Sequence, residues 1–520
     1  MKKFLSLILL ATMLLTSVFA ITGCGPNGPQ NNGGSDSDFN MDIDLSTKPT
    51  LNVLMPNSGK SIDAVNSDPT ALLIEELTGY KTAYTQLPAD ATSTLNTILM
   101  DKEQYNAMKL TKDQFADLVD QDMLLEIPRE ALEKFAPDML ANISKESWDV
   151  VTVNGKIYGI PERASSDNIE NPIVLNYDLM LELGLDIPET LDEFTAVLRA
   201  MTNHLGKPAL TFDKFTPLVY AISAAFGIYS YWQDYNGEVL FYMNAPRYNE
   251  YVEYMHGLYE EGLIDVEVAT NTAADATNRF VNSFDSNSGG AKAGAYACSL
   301  WTVSAIVTGL STKGVNTDGE LDNHLAYIRS LKENAGDAEK VYRSSGYTYI
   351  TAIPYYMADT AGYALDWMNS KIKDTETDDN FRQIVLGEKD VHWTTTSDGG
   401  YMPINPAFAE KDSASYYMTG SNETKYTAYW LARVRKQPEL YRAWSFLMDG
   451  ADEVGVYNVV DFTPPIAAYT ANRSTIETNA QDWFYMMLKD GSGKLSEYQT
   501  KLNGQYKCGE ATEAINAWYK

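Results

Sequence analysis

Few residues in this chain have the type and spacing to do covalent chemistry. The four histidines, His204, His256, His324 and His392, form no metal-ligand pair at helical spacing. Neither a G-x-S-x-G nucleophile elbow nor a phosphate-cradling loop occurs. Asp265 and Glu267, at i and i+2, would share one face of a strand, and a carboxyl facing them across a groove would make a glycosidase acid–base pair. The competing expectation is a solvated turn after the helix ending at Gly262, because carboxylates are mostly exposed. No catalytic residue, metal or cofactor is assigned.

Aromatic residues offer a different chemistry. The chain has 34 Tyr, 17 Phe and 9 Trp. Aromatic rings cover the C–H faces of a sugar, while Asn, Asp and Arg pair with its hydroxyls. Trp367, Trp430, Trp444 and Trp483 fall within helical apolar patterns and read as core. Trp148, Trp232, Trp301 and Trp393 stand at strand ends or in stretches rich in Gly, Asn and Asp, where ligand contacts concentrate. His392 reads with Trp393 as a cleft-lining pair. Asn57 and Ser58 lie at the carboxyl end of a first strand, where open α/β sheets bind ligands. Arg163 carries several donors for hydroxyls or a carboxylate; an ion pair with Glu162 or Asp167 is the alternative.

The elements that position these residues are legible from residue 51 onward. LNVLM is an apolar strand running into Pro56-Asn57-Ser58-Gly59. Asp68 and Pro69 open a helix that Gly79 stops. A strand follows over 81–87, then helical patterns over 90–101 and 111–124. Such alternation predicts an α/β lobe with a mainly parallel sheet. Residues 150–153 and 156–161 read as a hairpin turning on Asn154-Gly155. A strand over 173–176, a short helix closed by Gly184 and a helix with Thr190 and Glu193 at capping-box spacing come next.

The order of these pieces resembles the bacterial extracellular solute-binding proteins of carbohydrate ABC importers, the class that contains maltose-binding protein. The residues that carry the resemblance are NGKIYGIP (154–161), LNYDLMLELGLDIPETLDEF (175–194), YVEYMHGLYEEGLID (251–265) and KAGAY (292–296), with 353–371 as a later helix. The similarity spans about residues 50–470. It implies an α/β, two-lobed periplasmic-binding-protein-like fold (type II), with hinge crossings and a ligand cleft between the lobes. It also implies an aromatic platform at Trp301, and it places Tyr347 at the return crossing. Two stretches depart from the family pattern. Residues 102–108 lack its "sGdyPDvf" strand, and 203–208 lack the carboxylates of its calcium-type loop, so no metal is expected there.

Lys2 and Lys3, an apolar run over 4–20 and Ile21-Thr22-Gly23-Cys24 describe a secretory signal ending in a sequence similar to a lipobox, with Cys24 as the lipidated residue. Removal of residues 1–23 leaves 497 residues with a formal charge of −32, against −30 for the full 520. That charge argues against a nucleic-acid partner, whose phosphates need cations. Residues 25–49 are rich in Gly, Pro, Asn, Asp and Ser and read as a flexible tether reaching roughly 25–30 Å. Cys298 and Cys508 form either one bridge or two buried thiols.

These observations lead to the following expectations. Residues 1–23 are a signal peptide and 24–49 a lipidated tether. Lobe one comprises 50–163 and 347–400; lobe two comprises 164–346 and 401–520. The protein is a monomer on the extracytoplasmic face of the cell membrane, held by lipid alone. It captures an oligosaccharide by lobe closure and hands it to permease subunits. The same fold binding a peptide or other polar solute, a cell-surface glycoside hydrolase, and an adhesin without a closing cleft are the alternatives. The candidate ligand residues are Asn57, Ser58, Arg163, Trp232, Trp301, Tyr347, His392 and Trp393.

Overall fold

The computed structural model describes residues 39–88, 91–163, 168–315, 324–411 and 413–520. The lipobox with Cys24, and the tether before residue 39, lie outside the described residues. Nine strands build two sheets: β1 (Leu51–Met55), β2 (Thr82–Gln86), β3 (Ala107–Thr111), β4 (Ile160–Arg163), β5 (Ile173–Asn176), β6 (Leu210–Thr211), β7 (Ala295–Ala297), β8 (Leu325–Ile328) and β9 (Tyr347–Ala352). The first sheet has the order β2-β1-β3-β9-β4 and the second β8-β5-β7-β6. In the first, β1 runs parallel to β2 and β3, and β9 runs antiparallel to β3 and β4. In the second, β5 is antiparallel to β7 and β8, while β7 and β6 are parallel. These two sheets centre the two lobes of the α/β fold expected from the sequence.

Alternation of side chains across each pleat divides the apolar residues between separate cores. Leu51, Val53 and Met55 enter one cluster, while Leu54 joins Met108, Leu110, Ile350 and Ala352 on the opposite face. In lobe two, Ile173 and Leu175 face a core completed by the helices Arg473–Asp490, Leu495–Gly504 and Cys508–Tyr519. Val174 faces the other side, toward Phe280, Tyr296 and Leu300.

Local signals behave as their chemistry dictates. Thr190 Oγ1 accepts from the Glu193 amide at 3.3 Å, and Glu193 Oε2 accepts from the Thr190 amide at 3.1 Å, closing the capping box. Asn154 and Gly155 both take positive φ, as a tight hairpin between Thr152–Val153 and Lys156–Ile157 requires. Residues 145–150, however, are helical, so the hairpin's first strand is only two residues long.

Three expectations need correction. The tether cannot extend to residue 49, because Phe39 is buried against Phe135, with ring centroids 6.1 Å apart. Lys134 Nζ donates to the Met41 carbonyl at 2.6 Å, and Lys48 Nζ to the Thr78 carbonyl at 2.9 Å. Residues 401–520 do not all belong to lobe two. The Tyr417 hydroxyl donates to the Val65 carbonyl at 2.8 Å, Ser413 Oγ donates to Asp68, and Tyr426 packs edge-on to Phe381, so this stretch lies on lobe one. The bridge alternative for the cysteines also falls: Cys298 and Cys508 are both free thiols. Among the described residues no helix is long and apolar enough to cross a membrane.

Candidate functional site

Connectivity makes the two sheets face each other edge to edge. The carboxyl ends of β1, β2, β3 and β4 lie along one edge of the first sheet, together with the amino end of β9. The amino end of β5 and the carboxyl ends of β6, β7 and β8 share one edge of the second. The chain crosses from β4 to β5 and returns from β8 to β9, so both crossings join these same edges. The space between them is the candidate ligand site, at the strand ends where open α/β sheets bind.

On the lobe-one edge, Ser58 donates to Gln86 Oε1 from its amide at 2.7 Å and from its hydroxyl at 2.6 Å. Asn57 Oδ1 accepts from the Gly59 amide at 2.7 Å. The Tyr416 hydroxyl donates to the Pro56 carbonyl at 2.9 Å beside them. Arg163 Nε donates to the Ser345 carbonyl at 3.0 Å, and its guanidinium lies 5.5 Å from the Tyr347 ring centroid. The Tyr347 hydroxyl lies 2.7 Å from Ser147 Oγ, which donates to Glu423 Oε1 at 2.5 Å. Phe462 meets Tyr347 edge-on at 5.7 Å. Burial raises the Tyr347 and Tyr349 phenols, which keeps them neutral donors.

Arg163 does not pair with Glu162, the partner that sequence had offered; Asp167 lies outside the described residues. Successive residues on a strand point to opposite faces, and Glu162 points inward to Lys109. Lys109 Nζ is 2.9 Å from Oε1 and 2.8 Å from Oε2, with both side chains almost fully buried. The same ammonium donates to the carbonyls of Ser415, Tyr416 and Met418 at 2.9, 3.2 and 2.9 Å. This buried cation therefore fixes the segment that carries Tyr416 to the ligand edge. A lysine in the middle of the apolar strand AMKLT was the signal that a partner must exist.

The lobe-two edge carries Glu170 just before β5 and Trp301 just after β7. Burial raises the Glu170 carboxyl, opposed by hydrogen bonds from Asn168 and the Trp301 indole. Trp301 is 39% exposed and meets Trp430 edge-on at 5.4 Å. On the return crossing, Tyr342 stacks on Tyr220 at 4.5 Å. The lobes also touch directly. Lys112 Nζ, after β3, donates to the Val460 and Asp461 carbonyls at 2.8 and 3.0 Å, and Arg473 pairs with Asp113 at 2.9 Å. A small cavity of about 50 Å³ lies among these residues.

Three candidates do not join the site. Trp232 has no exposed surface; it packs on Phe241 and Tyr469 at 5.2 and 5.4 Å within the lobe-two core. His392 and Trp393 line a separate groove of about 1000 Å³ on lobe one, between the helices Pro69–Thr78 and Asn380–Leu386. There the Trp393 indole donates to the Gly387 carbonyl at 2.9 Å, and His392 Nδ1 accepts from the Glu388 amide at 3.0 Å. Trp148 lines another hollow, of about 650 Å³, beside the 152–157 hairpin. Asp265 is neither a solvated turn residue nor half of a facing acid pair. It is buried, accepting from Thr211 Oγ1 at 3.0 Å and Asn271 Nδ2 at 2.7 Å, with Arg279 Nε at 3.1 Å. Exposed Glu267 pairs with the same arginine.

No family model matches the chain. An uncharacterised protein from the butB 5′ region of Niallia circulans is 31% identical over 277 residues, which cover 52% of this chain and 98% of that protein. Lipoprotein LipO of Bacillus subtilis is 23% identical over 291 residues, 52% of this chain and 53% of LipO. Among solved structures, an HMO-binding, ABC-transporter-associated solute-binding protein of Bifidobacterium longum infantis superposes with a TM-score of 0.65 at 17% identity, over 91% of this chain and 98% of that one. The S. pneumoniae ABC-transporter substrate-binding protein FusA, in complex with kestose, gives 0.62 at 16% identity over 90% and 98%. With two facing α/β lobes and these likenesses, the chain has the two-lobed type II fold of the ABC-transporter solute-binding proteins.

Proposed function

We propose that the protein captures an oligosaccharide between the two sheet edges and delivers it to the permease of an ABC importer. The observation that carries this reading is the pairing of rings with hydrogen-bonding groups on edges that face each other: Tyr347, Tyr349, Tyr416 and Arg163 on one, Trp301 and Glu170 on the other. Rings take the C–H faces of a sugar, and the carboxylate, guanidinium and phenols take its hydroxyls. Two lobes joined by several chain crossings close by hinge motion, and a ligand touching both edges favours the closed form by its differential contacts. The solved relatives named for HMO binding and for a kestose complex support a glycan over other solutes. Capture without cleavage is the proposed chemistry.

The test is a thermal-shift screen of human-milk-type, fructo- and manno-oligosaccharides beside short peptides. A ligand at 100 times its Kd stabilises the native state by about 2.7 kcal/mol. Stabilisation by glycans alone is expected; stabilisation by peptides alone would transfer the same fold to the alternative solute class. Anchoring by lipid at Cys24 is part of the proposal, supported by the lipobox-like residues 21–24 and by LipO. Cys24→Ala should abolish fatty-acid labelling and release the protein to the medium, and persistent labelling would remove that claim.

A further inference from the structure

Phe215 is the most exposed phenylalanine on the lobe-two edge, at 68%, yet its loop is tightly held. It follows β6 by four residues, as Trp301 follows β7, and β6 and β7 are parallel neighbours with Thr211 opposite Tyr296. Both rings thus leave the same sheet edge from adjacent strands.

Isolated exposed apolar side chains are ordinary. This one differs in what holds it. Asp213 Oδ1 accepts from the Phe215 amide at 2.9 Å and from Thr216 Oγ1 at 3.0 Å. The Lys214 amide donates to the Asn271 carbonyl at 3.0 Å, while its carbonyl accepts from Gln481 Nε2 at 2.6 Å. The Tyr485 hydroxyl donates to the Asp213 carbonyl at 3.0 Å. Lys214 Nζ stands 5.0 Å from the ring centroid. Three of these ties, to Asn271, Gln481 and Tyr485, anchor the loop to the body of the lobe, while Phe215 is presented outward. A ring ordered before binding loses little entropy when a ligand covers it.

We infer that Phe215 is a second aromatic contact on lobe two, covering a sugar ring beyond the one at Trp301, so that the protein favours linear oligosaccharides over shorter saccharides. The inference rests on the glycan reading of the interlobe site and adds a length preference to it. The experiment is calorimetric titration of the full chain and of Phe215→Ala with fructo- and manno-oligosaccharide ladders, from the monosaccharide to the hexasaccharide. In the unaltered protein affinity should climb with length. Phe215→Ala should lose roughly tenfold or more on the longer members and nothing on the shortest, giving a flat profile. Phe215→Tyr should retain the climb. An equal loss at every length, or an unchanged profile, overturns the inference while leaving the glycan reading in place. If no member of these ladders or of a human-milk-type ladder titrated beside them binds the unaltered protein, the glycan reading and this inference fall together. An unchanged denaturation midpoint of Phe215→Ala is expected, because the ring contributes almost nothing to a core.

Discussion

Lys109→Met is expected to destabilise the protein by about 3–5 kcal/mol, because removing one member of a buried pair leaves the other charge unpaired. Glu162 would remain almost fully enclosed, and the carbonyls of Ser415, Tyr416 and Met418 would lose their donor. The loss should depend on pH in a definite direction. Burial already raises the Glu162 carboxyl, while Lys109 opposes that rise. Without the ammonium, the folded-state value climbs further above the unfolded one near 4.5. A group with a raised folded value contributes stability that is present below the unfolded value and lost as pH rises. The variant should therefore lose more stability at pH 8 than at pH 4.5, relative to the unaltered protein. Urea midpoints at the two pH values check this; an equal loss at both would contradict the buried, unpaired carboxylate. Glycan affinity should fall as well, since Tyr416 reaches the ligand edge only through the segment that Lys109 holds.

Trp232→Ala is expected to cost a similar ~3–5 kcal/mol of stability, the usual range for emptying a core tryptophan site. Its ring lies between Phe241 and Tyr469 with no surface exposed, so affinity in the folded fraction should not change. Trp301→Ala should behave in the opposite way. Truncating a binding hot spot costs at least ~2 kcal/mol, about thirtyfold in Kd, while stability should fall much less because the ring is partly exposed already. Denaturation midpoints and titration of both variants separate the roles. Early unfolding with normal binding in Trp301→Ala would place that ring in the core and undo the lobe-two half of the site.

The contrast between these two tryptophans shows where sequence stops. Each stands near polar, turn-forming residues, and local pattern treats them alike. What differs is a cover supplied from afar: Tyr469 reaches Trp232 from 237 positions later in the chain, and no periodicity near residue 232 announces it. His392 and Trp393 lie away from the interlobe edges for the same reason, since the groove they line is built with the distant helix Pro69–Thr78. Caps, the Asn154-Gly155 hairpin and the strand–helix alternation were legible because the physics that sets them is contained within a few residues. Two further signals lie in the sequence. Phe39, Met41, Ile43 and Leu45 alternate as a packed extended segment would, inside a stretch whose polar composition suggested a tether. Lys109 interrupts an apolar strand, and only a buried partner explains a cation there. Arg163 and Tyr347, placed by the two crossings, do meet on one edge.

The central claim is that a glycan lies between the two facing edges, and hydrogen–deuterium exchange of the full chain tests it most directly. The probe is the oligosaccharide that gives the largest thermal shift, compared with buffer alone. Slowed exchange is expected in residues 56–60, 112–116, 213–216, 298–302 and 345–349, which belong to both lobes and to the return crossing. Protection confined to residues 69–76 and 379–393, around the outer groove of His392 and Trp393, or restricted to one lobe, would contradict capture between the edges.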